Sequence, residues 1–139
     1  MILLDTNILF YAKDGAHPEN ARVTQQITQW IAGGETLVVN PQVLYEFYVV
    51  ATRTSRGLGL SSQQARQEVQ NIKDSFHFVN DPYGLFDKWD EFIDHYQTLG
   101  KSAHDTRIVA FMDLHNINRI YTDNVNDFNR YSDRITILN

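Results

Sequence analysis

The chain has 139 residues, 42% hydrophobic and 21% charged, a balance that fits one globular domain with a substantial core and excludes disordered and fibrous classes. Its 12 Lys and Arg against 17 Asp and Glu leave a formal charge of -5, which excludes a protein that grips nucleic acid through a broad basic surface, though not one that meets phosphate locally. The absence of cysteine excludes disulfides, thiolate zinc sites and thiol catalysis.

Residues 1–4, MILL, form an apolar run that reads as a buried strand. The run meets Asp5 at once and has no basic leading segment, so neither a secretory signal nor a membrane span is expected, and the cytoplasm is the expected compartment. Asp5 stands at the carboxyl end of this strand, where an Asp can also cap a helix beginning near Thr6 or Asn7. Residues 18–32 begin at Pro18, suited to a first helical turn, and set Val23, Ile27, Trp30 and Ile31 on one side before Gly33-Gly34 ends the pattern. A second strand at 36–39 leads through Asn40-Pro41, a cap and a first-turn proline, into a helix over 41–54. On that helix Val43, Phe47 and Val50 mark the inward face, and at about 100° per residue Glu46 falls on its border, about 60° from Val43.

Ser61 opens a polar helix whose inner positions are Ala65, Val69 and Ile72, and a third strand follows at 76–79. An aromatic helix runs from about Tyr83 to Leu99, carrying Phe86, Trp89, Phe92, Ile93 and Tyr96. The next helix, SAHDTRIVAFMDLH from residue 102, places Ile108, Val109 and Met112 on one stripe with Asp105 in its middle. Ser102 stands three residues before Asp105, the spacing of a capping box, which accounts for an Asp near a helix start but not for its inward aim. Strands at 118–121 and 134–138 complete the set, and Asp123 and Asp127 follow the first of these.

Strands separated by helices of this length indicate an α/β fold, a central parallel sheet of four to five strands flanked by helices on both faces. Ligands of such sheets bind beyond the carboxyl ends of the strands. Asp5, Asp123 and Asp127 lie there, although each alone also has a cap or turn reading. Glu46 and Asp105 come from helix faces turned inward. Carboxylates gathered in one place repel and resist ionisation unless a cation compensates. Mg²⁺ or Mn²⁺ suits such a site, and one or two ions can activate water for phosphodiester hydrolysis. The five histidines, His17, His77, His95, His104 and His115, include no pair three or four apart, so a zinc helix motif is absent, as are a Gly-rich phosphate loop and a G-x-S-x-G elbow. Arg53, Arg56 and Arg107 are candidates for phosphate contact, and His104 for substrate contact, each with a plain surface role as the alternative.

Four segments in order, LLDTNIL at 3–9, VLYEFYVVATR at 43–53, HDTRIVAFM at 104–112 and IYTDNVNDFNRY at 120–131, give the chain a resemblance to the PIN-domain family over essentially its whole length, and within it to VapC-type ribonuclease toxins of bacterial type II toxin-antitoxin pairs. The resemblance implies a single PIN-like domain over 1–139, an Mg²⁺ or Mn²⁺ site of one or two ions, and endonucleolytic cleavage of RNA. Carried over residue by residue, Asp5, Glu46 and Asp105 match the first three acids, with Asp5 and Asp105 as direct metal ligands and Glu46 holding a second ion or a metal-bound water. Asp127 matches the fourth acid, with Asp123 as its substitute, in a pattern that also takes in Thr122, Asn124 and Phe128. Asn7 and Thr122 look like residues that orient the ligands. The resemblance further implies a homodimer and a small antitoxin that lays an Arg across the acids; the aromatic helix is a candidate for that groove or for the dimer contact, with core packing as the alternative. Two other classes remain in play: a PIN-like module that binds RNA or protein without cutting, and another enzyme on a related sheet. A haloacid-type phosphatase would have a second Asp where Asn7 stands, and a receiver domain a late Lys after a strand, whereas the last lysine is Lys101.

Overall fold

The computed structural model describes residues 1–139. Five short strands alternate with helices: β1 (Ile2–Leu4), α1 (Thr6–Lys13), α2 (Asn20–Ala32), β2 (Leu37–Val39), α3 (Pro41–Thr52), α4 (Ser62–Ser75), β3 (His77–Phe78), α5 (Leu85–Tyr96), α6 (Ser102–Leu114), β4 (Arg119–Tyr121), α7 (Val125–Phe128) and β5 (Thr136–Leu138). All five expected strands are present and form one sheet in the order β3-β2-β1-β4-β5, with every neighbouring pair parallel. Leu3 is in register with Val38 on one side and Ile120 on the other. The chain walks from β1 to β3 in one direction and then returns to place β4 on the opposite flank of β1. The strand order therefore reverses between β1 and β4, and a crevice opens beyond their carboxyl ends.

Right-handed crossovers put the helices of the outward and return walks on opposite faces of the sheet. The packing agrees: α1 lies against α2 and α3, and α3 against α4, while α5 packs on α6 and α6 on α7. β1 and β2, enclosed from both sides, are buried at every residue, as their unbroken apolar runs require. Phe47, Phe92, Phe111, Phe128, Tyr121 and Tyr131 are the largest fully buried side chains.

Local chemistry sets most helix starts. Asn40 caps α3 by accepting from the Val43 N–H at 3.0 Å, with Pro41 in the first turn. Ser61 and Gln64 form a reciprocal capping box on α4, whose inner face buries Ala65 and Ile72. Four expectations need correction. α2 starts at Asn20, after Pro18. Ile31, counted with its buried face, is 54% exposed; at 100° per residue it has drifted about 80° from Val23. α5 starts at Leu85 because Gly84 takes the left-handed φ of 81°, which leaves Tyr83 fully exposed and Phe86 outside the core. Ser102 caps nothing: α6 begins at Ser102 itself, after a turn in which Ala103 N–H donates to Gly100 and His104 N–H to Lys101, so no capping box forms with Asp105.

Candidate functional site

Asp5 is the pivot of the crevice. Its backbone N–H donates to the Tyr121 carbonyl at 3.0 Å, stitching the end of β1 to the end of β4. As N-cap of α1 its Oδ1 accepts from the Thr6 N–H at 2.7 Å. Oδ2 accepts from the Thr122 hydroxyl at 2.5 Å and from Asn7 Nδ2 at 3.0 Å. Asn7 in turn accepts from the Asp123 N–H, and Thr122 from the Asn124 N–H, so the loop after β4 is folded onto the start of α1. The carboxyl is 5% exposed, and burial pushes its pKa from 3.8 up to about 6 against the lowering effect of the Thr122, Thr6 and Asn7 donors, with the Glu46 charge adding to the rise.

Glu46, on α3, is half-buried and held at both oxygens: Oε2 accepts from Thr6 Oγ1 at 3.1 Å, Oε1 from Gln42 Nε2 at 2.9 Å. Asp105, half-buried in the first turn of α6, also rises to about 6, through burial first and then the negative charges of Asp127, Asp5 and Glu46. That mutual repulsion puts the four acids in one electrostatic neighbourhood. Asp127 is exposed and acts on Asp105 as a nearby charge, whereas Asp123 is turned toward the Tyr11 hydroxyl at 3.1 Å and Arg22 at 3.7 Å. Asp5, Glu46, Asp105, Asn124, Arg53 and Arg56 help to line a cleft of about 660 Å³, and His104 stands at its wall. Arg107 does not line it; its guanidinium donates to Gln42 and to Asp81.

No three acidic or histidine side chains stand close enough to hold an ion as they are placed. The donor chemistry nonetheless suits a hard divalent cation: the available ligands are carboxylate oxygens, and Asp5 and Asp105 are driven toward the protonated form by burial and by neighbouring carboxylates, the penalty a bound cation reverses. Thr6 and Gln42, which fix Glu46, were not singled out from the sequence, although Gln42 lies four residues before Glu46, where a helix brings an amide and a carboxylate together.

A family model described as the PIN domain matches residues 2–133. The chain belongs to the PIN domain family. Among curated relatives of this PIN domain, VapC ribonuclease Mb1869c of Mycobacterium bovis and Ribonuclease VapC13 of Mycobacterium tuberculosis are each 30% identical over 130 residues, which span 86% of this chain and 87% of the relative. The solved structure of VapBC2 from Rickettsia felis bound to a DNA fragment from its promoter superposes with a TM-score of 0.73 at 17% identity, over 100% of both chains, and so shares the PIN fold. In this PIN domain the matched stretch contains every residue that lines the cleft, from Asp5 to Asn124, and Asp127 beside it.

Proposed function

We propose that this PIN domain is a metal-dependent endoribonuclease, the toxin of a type II toxin-antitoxin pair. The observation that supports the reading is that Asp5, Glu46 and Asp105 line one cleft at the switch point between β1 and β4, with Asp127 near enough to act on Asp105 as a charge and with Asp5 and Asp105 resisting ionisation. Similarity to relatives named as VapC ribonucleases supports the substrate class. Mg²⁺ or Mn²⁺, as one or two ions, would supply an activated water and neutralise charge on the scissile phosphate. Asp5 and Asp105 present the ligand oxygens, and Glu46 holds a further ion or orients water. Thr122 and Asn7 fix the lone pairs of Asp5 by donating to Oδ2. Arg53 and Arg56, which line the same cleft, meet the substrate's phosphates in an otherwise acidic protein.

A cleft rich in carboxylates also suits an Arg from a small antitoxin. Exposed Tyr45, Val49, Tyr83 and Phe86 give the surface from which antitoxin and homodimer contacts would be drawn. No helix is long and apolar enough to cross a membrane, and a substrate of cellular RNA assigns the protein's work to the cytoplasm. Purified protein is expected to cut structured RNA with Mg²⁺ or Mn²⁺ and to stop in EDTA, while Asp5→Asn and Asp105→Asn abolish cutting without unfolding. Full activity in both variants, or none in the parent on any RNA, overturns the proposal. The toxin role adds growth arrest on induction, relieved by the product of a short neighbouring gene.

A further inference from the structure

Gln42 is a polar side chain in the first turn of α3, only 6% exposed, and every polar atom of its amide is engaged. Nε2 donates to Glu46 Oε1 at 2.9 Å and to the His104 carbonyl at 3.0 Å; Oε1 accepts from Arg107 at 2.9 Å. The other arm of the Arg107 fork donates to Asp81 Oδ2 at 2.5 Å. The direction of this chain is forced. A guanidinium only donates and an ionised carboxylate only accepts, so a flipped amide would set NH₂ against Arg107 and C=O against Glu46.

We infer that Gln42, oriented by Arg107 and through it by Asp81, positions the Glu46 carboxylate for cation binding and sets its spacing from Asp105. Glu46 is grasped by two donors that tie it toward the neighbouring acids: Thr6, next to Asp5, and Gln42, on its own helix, which also donates to the backbone carbonyl one residue before Asp105. The Gln42 amide holds one Glu46 oxygen at 2.9 Å while Arg107 fixes which way the amide faces. Gln42 and Arg107 are thus positioning residues, acting through Glu46 rather than on substrate. The inference rests on the metal-dependent reading proposed above.

The test is calorimetric titration of metal-free protein with Mn²⁺ alone, which needs no RNA and no turnover. Gln42→Leu, close to Gln in volume, is expected to weaken Mn²⁺ binding about tenfold or more, the effect of losing a group that orients a ligand. In a Glu46→Gln background the same substitution is expected to add nothing, because the carboxylate it acts through is gone. Arg107→Lys keeps the charge beside Asp81 but cannot span Asp81 and Gln42 at once, and is expected to weaken binding about threefold. It serves as the folded control if Gln42→Leu is unstable. Parent affinity in Gln42→Leu, or equal weakening with and without Glu46, would make Gln42 a structural tie and overturn the inference while leaving the metal site standing. Parent affinity in Arg107→Lys overturns the part assigned to Arg107. No Mn²⁺ binding by the parent overturns both readings together.

Discussion

Replacing Asp5 by Asn separates folding from function with a defined sign. In the metal-free protein the Asp5 carboxyl is nearly buried and its pKa stands at about 6 rather than 3.8. Holding it ionised at neutral pH therefore costs folding roughly 3 kcal/mol. Asn at the same position removes the charge and keeps one oxygen for the Thr6 N–H, but turns an NH₂ toward Asn7 and Thr122, a loss of about 1 kcal/mol. The net gain of about 2 kcal/mol corresponds to a rise in Tm of roughly 4 to 8 °C. The folded state binds more protons than the unfolded chain between pH 3.8 and about 6, so the penalty grows as pH rises through that window and is complete above it. Circular-dichroism melts in EDTA are expected to show Asp5→Asn above the parent at pH 7.5 and nearly level with it at pH 4, with RNA cleavage lost throughout. Mg²⁺ is expected to raise the parent's Tm and leave the variant's unchanged. A variant that melts below the parent in EDTA at pH 7.5, or a gap that widens on acidification, would refute the claim that Asp5 carries an uncompensated buried charge.

Asp127→Asn is expected to cut the cleavage rate tenfold or more, since its charge bears on Asp105, whereas Asp123→Asn, aimed at Tyr11 and Arg22, is expected to stay within about threefold of the parent; the reverse order of rates would exchange the two acids. Arg53→Gln with Arg56→Gln is expected to raise KM and to flatten the slope of log affinity for single-stranded RNA against log salt by about 1.4, as read by titrations at several salt concentrations. Gly57→Ala would drive a Cβ into the Val50 and Arg53 carbonyl oxygens, backbone atoms that cannot yield, so urea unfolding is expected to show a loss of about 1 to 3 kcal/mol. Phe47→Ala opens a cavity under α3 and is expected to lose about 3 to 5 kcal/mol in the same assay.

The strands and their parallel pairing were legible because short apolar runs between helical stretches admit few other arrangements, and the placement of Asp5, Glu46 and Asp105 on one cleft was legible because Asp5 ends a strand while Glu46 and Asp105 share phase with buried neighbours. Spacing failed where a tertiary contact decided. Ser102 has capping-box spacing, yet the Gly100–Lys101 turn starts the helix at Ser102 itself, and Thr106 beneath it turns to Ser102, Thr98 and Tyr131. Tyr83 and Phe86 continue an aromatic pattern that Gly84 interrupts. Gln42 and Arg107 escaped notice as parts of one chain because their link spans 65 residues, and a lone Gln or Arg on a helix has no periodicity of its own.

The sheet order also fixes when the crevice can exist. Asp5 is synthesised 117 residues before Thr122, whose hydroxyl holds it and which directly follows the strand that docks beside β1. At roughly 5 to 20 residues per second, ribosomes need about 6 to 23 s to span that interval. During that time the nascent chain carries Asp5 on a strand with one flank open, and Asp105 and Asp127 are added only around the close of that interval. The acids cannot meet until the stretch that carries β4 and α7 has been made.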